Sequence, residues 1–169
     1  MAKNHNLRII LFSVLVIGLL GGMLVYISIQ GKPKPIATAE TVTNILESKN
    51  YIVYDLTEDF REAWEAGDRL QYALCSQTEN LSFKYFIFDT ESTAENVRKQ
   101  YLGIIKEEKY TLDSVKTSEG ASNYVIYTLK SKGVYTILMR VENTLIYAEC
   151  DEEIDYEINR ILVDMGYFD

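Results

Sequence analysis

The sequence predicts an α+β protein: an N-terminal transmembrane helix followed by an antiparallel five-stranded sheet with helices packed on it, in the order α-β-β-α-β-β-β-α. Three observations carry that expectation. The chain opens on a long uncharged apolar run, its second half adopts a hydrophobic period of two broken by short turn sequences, and stretches of helical period lie before, between and after the strands. After such an anchor, the 169 residues leave room for one domain of ordinary size.

Residues 1–8 read as a short tail and 9–29 (IILFSVLVIGLLGGMLVYISI) as a transmembrane signal-anchor free of charge. As a helix those residues would measure about 31 Å, enough for a hydrocarbon core of about 30 Å. Arg8 and Lys32 bracket the run, and Tyr26 sits where an amphipathic ring suits the interface. The run exceeds the apolar part of a cleavable signal, and the Ala37-Thr38-Ala39 triplet follows it at too great a distance, beyond Pro33 and Pro35. No cysteine directly follows the run, so a lipoprotein anchor does not fit. Lys3 and Arg8 before the run balance Lys32 and Lys34 after it. The brevity of the N-terminus therefore decides the expected orientation: N-terminus inside, domain outside, single-pass in the cell membrane. Gly18 and Gly22 form a small-xxx-small pair that would let a second helix pack closely, making a homodimer or a membrane protein a candidate partner beside the lipid bilayer itself. Glycine is also simply common in membrane helices.

Residues 30–37 form a proline-stiffened stalk and 38–169 the acidic soluble domain. A helix fits Thr38 to Lys49, with Thr38 as N-cap and Val42, Ile45 and Leu46 on one face. Tyr51 to Tyr54 is extended, and Asp55 to Gly67 is an irregular or briefly helical excursion carrying the single tryptophan, Trp64. Strands are expected at Arg69–Ser76, Leu81–Phe88, Tyr124–Lys130, Val134–Val141 and Thr144–Cys150, rich in aromatic and β-branched residues. Gln77–Asn80, Ser131–Gly133 and Glu142-Asn143 are the turns between them. Ser92 and Glu95 look like a capping box opening a helix with Ala94, Val97, Tyr101, Ile104 and Ile105 inward. A last helix spans Glu153 to Met165, with Ile154, Ile158, Ile161, Leu162 and Met165 inward and Asp151, Glu152 and Glu153 at its positive end.

All 25 acidic residues follow position 35, against 13 basic ones, which gives the domain a formal net charge of −12. Such a surface repels phosphate backbones, so nucleic acid is excluded as a partner. The only histidine, His5, precedes the anchor, which removes histidine-based nucleophile pairs and metal ligation from the domain. Dinucleotide, P-loop and zincin strings are absent, and no cofactor or metal site is expected. The Asp151–Asp155 run lacks the glycine and spacing of a calcium loop and reads as a solvated helix start.

Cys75 and Cys150 sit in similar contexts, Tyr-Ala-Leu-Cys and Tyr-Ala-Glu-Cys, outside any CxxC pair. They are a candidate disulfide if their strands are neighbours, or two small buried hydrophobes if not. Twelve of the 13 tyrosines follow the anchor. Tyr124, Tyr127, Tyr135 and Tyr147 fall on opposite faces of their strands and form a candidate aromatic binding face, suited to a sugar chain or a peptide. Ordinary half-buried strand positions explain the same pattern.

Three stretches resemble a group of small exported proteins of Gram-positive, clostridial-type bacteria: Asn50-Tyr-Ile-Val-Tyr-Asp-Leu-Thr57; Phe83-Lys-Tyr-Phe-Ile-Phe-Asp89 followed by Ser92-Thr-Ala94; and Arg140-Val-Glu-Asn-Thr-Leu-Ile-Tyr147 with Gly166-Tyr167. Members of that group carry a lipoprotein signal or a single anchor before one α+β domain. The resemblance implies fold and export, and brings no catalytic residues with it. The expected function is a non-enzymatic extracytoplasmic binding or interaction module tethered to the membrane. The alternatives are a carboxylate-dependent envelope hydrolase and a thiol-linked role for Cys75 and Cys150.

Overall fold

The strands of the second half pair where the alternation and turns place them. The computed structural model describes residues 33–168, apart from 66, 110, 112, 113 and 122 and the side chain of residue 116. Among these residues there are seven strands: β1 Tyr54–Asp55, β2 Leu70–Gln77, β3 Leu81–Phe88, β4 Val115–Gly120, β5 Tyr124–Ser131, β6 Val134–Val141 and β7 Thr144–Asp151. Four helices accompany them: α1 Ala39–Ser48, α2 Thr57–Ala63, α3 Glu91–Glu108 and α4 Asp155–Asp164. The strands form one sheet in the order β1-β2-β3-β7-β6-β5-β4, every pair antiparallel.

Two expectations are corrected here. The sheet has seven strands, not five. The additions are its two edges: β1, only two residues long, and β4 (VKTSEG), whose sequence holds one large apolar residue. Both edge strands are largely exposed, so neither needs an apolar face, and each is held by pairing to a single neighbour. The membrane assignment is the second correction. Among the described residues no helix is long and apolar enough to cross a membrane. The transmembrane helix, single-pass topology and outside-facing localisation therefore have no structural support, and residues 9–29, with Gly18 and Gly22, lie outside the described residues.

Both faces of the sheet are apolar, so both are covered. On one face Phe83, Tyr85, Ile137, Met139, Ile146 and Ala148 pack under α1 and α4, which contribute Val42, Leu46, Ile158, Ile161 and Leu162. On the other, Phe86, Phe88, Leu138 and Leu145 pack under α3, which contributes Ala94, Val97 and Ile105, with Phe60 and Trp64 around α2 alongside. Strand β6 is consequently buried at every position from Tyr135 to Val141. Its polar residues are paired. The Arg140 guanidinium reaches Glu91 at 2.7 Å and Glu95 at 3.1 Å on α3, and Thr136 donates to Glu149. Glu95 also holds Arg98 through two 2.8 Å bonds. That bond, aided by the nearby cations, keeps its carboxyl below the usual range. Glu95 is thus engaged with arginines rather than with a capping box. The N-cap of α3 is Thr90, whose hydroxyl accepts from the Thr93 amide, and Ser92 lies inside the first turn.

Turn chemistry fixes the register of the hairpins. Lys132 and Gly133 both take positive φ, 54° and 75°, the primed geometry that suits strand twist. At the next turn the Asn143 side chain donates to the Phe88 carbonyl (2.7 Å) while the Phe88 amide donates back to the Asn143 carbonyl (2.9 Å). This clasp ties the β6–β7 turn to the end of β3.

Residues 33–37, part of the expected stalk, are integral to the fold. Asn123 brackets the Lys34 backbone, accepting from its amide and donating to its carbonyl. Buried Tyr85 donates to the Ala37 carbonyl at 2.6 Å, and the Ala37 amide donates to buried Tyr167. Thr38 is the N-cap of α1, as its sequence suggests. Tyr85→Phe leaves that carbonyl buried without its donor, and it should destabilise the domain by about 1–3 kcal/mol in urea unfolding. Tyr54→Phe, at an exposed ring, should stay within about 0.5 kcal/mol of the parent.

Candidate functional site

The chain between β1 and β2 builds one wall of a cleft. Asp55 accepts from the Thr57 amide (2.9 Å) and from the Thr57 hydroxyl. That hydroxyl in turn accepts from the Ala73 amide at 3.0 Å, and the Leu56 amide donates to the Ala73 carbonyl at 2.8 Å. Arg61 donates Nε to the Leu70 carbonyl at 3.0 Å. Helix α2 therefore occupies the hydrogen-bonding edge of β2 that the two-residue β1 leaves open. The following turn passes so close to α2 that a Cβ at position 67 would stand 2.0 Å from the Arg61 carbonyl oxygen, so Gly67 is obligatory.

This tight return leaves Trp64 at the end of α2 in extended backbone, with its indole over the sheet. Its ring centroid lies 4.8 Å from Phe60, 5.0 Å from Phe86, 6.3 Å from Phe88 and 6.1 Å from Tyr101. Such clustered, tilted rings add to ordinary burial and fix the indole's position. The opposite wall is α3. Thr93, Asn96, Val97 and Gln100 recur at helical spacing along one stripe. With Ala63, Trp64, Glu65 and Arg69 they enclose about 400 Å³, within the range of small-ligand sites.

The chemistry of this lining is mixed. Trp64 and Val97 are apolar. Glu65 and Arg69 are exposed and of opposite charge. Thr93 is engaged, donating to Asp89 at 2.8 Å. That bond, then a weaker one from Thr90 and the Arg69 charge, holds the Asp89 carboxyl below the usual range. Asn96 and Gln100 are exposed and make no side-chain hydrogen bond among the described residues. Among those residues no group of three or more His, Cys, Asp or Glu could hold a metal ion.

The residues singled out from sequence lie elsewhere. Tyr124 and Tyr135 belong to the α1/α4 face and Tyr127 and Tyr147 to the α3 face, so they do not form one surface. Tyr124, Tyr127 and Tyr135 are buried and Tyr147 half-buried, because helices cover both faces. Tyr147 bonds Glu149, which also receives Lys109. Burial, together with the Glu149 bond, raises the phenol's pKa. The candidate aromatic face is thus interior.

Cys75 and Cys150 are both free and buried, and the structure does not bring them together. Strand β3 separates β2 from β7, with Cys75 opposite Lys84 and Cys150 opposite Leu81. Those partners are three residues apart, so the two cysteines project to opposite faces of the sheet. Cys150 lies in the α1/α4 core. What sequence reasoning missed is the cleft itself. The available signal was a lone tryptophan in DFREAWEAGDR, just before a glycine, facing amides spaced four apart on a helix.

Two solved structures are similar in outline. A GTP-binding regulator from Thermotoga maritima shares 13% identity over 83% of this chain and 96% of its own, with a TM-score of 0.48. The extracellular domain of PknH from Mycobacterium tuberculosis shares 12% over 78% of this chain and 90% of its own, with a TM-score of 0.38. Neither likeness is close enough to bear on function. No family model and no curated protein matches the chain.

Burial pushes the Cys75 thiol up, and it pushes Cys150 up to about 11, with help from the Asp155 and Asp151 charges. At pH 8 Cys150 would then be thiolate at about one part in a thousand. Both thiols should resist a thiol-disulfide reagent in the native protein at pH 8 and react stoichiometrically in denaturant. Rapid native labelling would contradict this placement.

Proposed function

We propose that the domain is a non-enzymatic binding module and that the cleft between the α2–β2 turn and α3 is its ligand seat. One observation carries this reading. The chain's single tryptophan is held partly buried by four other rings at the border of a small-ligand-sized hollow, and the amides on the facing helix are unengaged among the described residues. An aromatic floor with a few convergent polar groups is the usual make-up of a binding site.

The lining gives no support to a hydrolytic reading. Glu65 is the one carboxylate among the lining residues, whereas hydrolysis by paired carboxylates needs two that flank the reacting bond. The lining hydroxyl, Thr93, donates to Asp89 and is itself packed in the first turn of α3. The thiols are buried in the fold and are not in the cleft.

A fragment screen read by amide chemical shifts on the full chain tests the assignment. Binders should perturb residues 63–69 and 93–100, and Gln100→Ala should weaken those binders about tenfold without lowering the melting temperature. Shifts confined to other surfaces would overturn the assignment. So would turnover of chromogenic glycosides or esters that is abolished by Glu65→Gln.

A further inference from the structure

Resting on the cleft being a binding site, we propose that it takes a neutral saccharide of one or two rings. Four features of the lining point to that chemistry. The first is the floor: the partly buried Trp64 indole, held rigid by its neighbours with buried Val97 beside it, offers an apolar surface that suits the C–H face of a pyranose. The second is the pair Asn96 and Gln100. Each carboxamide presents one acceptor and two donors. Sugar hydroxyls also both donate and accept, so vicinal hydroxyls match amides one turn apart on a helix.

The third is charge. Glu65 and Arg69 bring one negative and one positive group to the same rim, so the lining residues carry no net formal charge, and the Asp89 carboxylate beside Thr93 feels the Arg69 charge as well. Arg69 makes no ion pair within 4 Å among the described residues and is free to donate to a ring or hydroxyl oxygen. A lone guanidinium beside a carboxylate, in a domain of formal charge −12, is a poor seat for an anion. The fourth is what a peptide would lack. An extended peptide needs free backbone groups to pair with. The neighbouring edge of β2 is largely taken, because Arg61 donates to the Leu70 and Gln71 carbonyls while Thr57 and Leu56 take the Ala73 amide and carbonyl.

Because Trp64 is the only tryptophan, indole emission from the full chain reports on this cleft directly. The test titrates maltose, cellobiose and N,N′-diacetylchitobiose, with glucuronic acid and trialanine amide as the contrasting probes. A saturable emission change with at least one neutral disaccharide is expected. Asn96→Ala and Gln100→Ala should each weaken it about tenfold with unchanged thermal unfolding. Calorimetry with Trp64→Phe, which keeps a ring in the cluster, should show at least a fivefold loss. A response to glucuronic acid or the peptide alone would overturn the saccharide assignment while leaving the cleft a binding site. No response to any probe would overturn it too. If the amide-shift screen were also silent at residues 63–69 and 93–100, the binding reading itself would fall with it.

Discussion

A sheet that carries large apolar side chains on both faces has to be covered twice, and that constraint organises this domain. Phe83 and Tyr85 point one way from β3 while Phe86 and Phe88 point the other, and leaving either set in water would forfeit several kcal/mol per face. The chain meets the requirement with four short-to-medium helices, two to a side. α3 leaves the interior strand β3, crosses β7 and β6 and leads to the edge strand β4, and α4 returns over β7 on the opposite face. The residues that would be polar and exposed in a half-open sheet become interior, so Arg140 and Thr136 take carboxylate partners. Arg140 thereby joins sheet to helix; removing it would take one of its cations from the partly buried Glu95.

The cleft follows from the same constraint. Helix α2 is too short to cover its share of the second face, and Trp64 completes the cover with an indole in place of another helical turn. A large ring that closes a gap at the margin of a core keeps one part packed and another part open. The tight return at Gly67 then brings Arg69 and the start of β2 up beside it. The binding surface is thus the place where the second layer runs out, and its rigidity comes from the aromatic cluster beneath.

How much of this was legible in the sequence depended on how local the signal was. β5, β6 and β7 could be read because each has apolar alternation and is bounded by Lys132-Gly133 or Glu142-Asn143, whose backbone geometry suits hairpins. α3 was legible from its stripe, although its cap is Thr90 rather than Ser92, and Glu95 is held by Arg98 one turn on and by Arg140, distant in sequence. The edges were illegible, since β1 and β4 owe their conformation to a neighbour and carry little pattern of their own. The double cover was hidden because Thr136 and Arg140 look like an outward face until their partners are known. For the cysteines, similar local contexts gave no information on parity, and the register with β3 decides it. The cleft joins positions 64, 69, 96 and 100, whose proximity depends on α3 packing back over the sheet.

Native-state amide hydrogen exchange tests the double cover most directly. If both faces are sealed, amides of β6 and β7 should exchange only by global unfolding, β3 should follow closely, and β1 and β4 should exchange far faster at the edges. Exchange of the β6 amides at rates similar to those of β4 would mean that one face of the sheet is open, and would contradict the account.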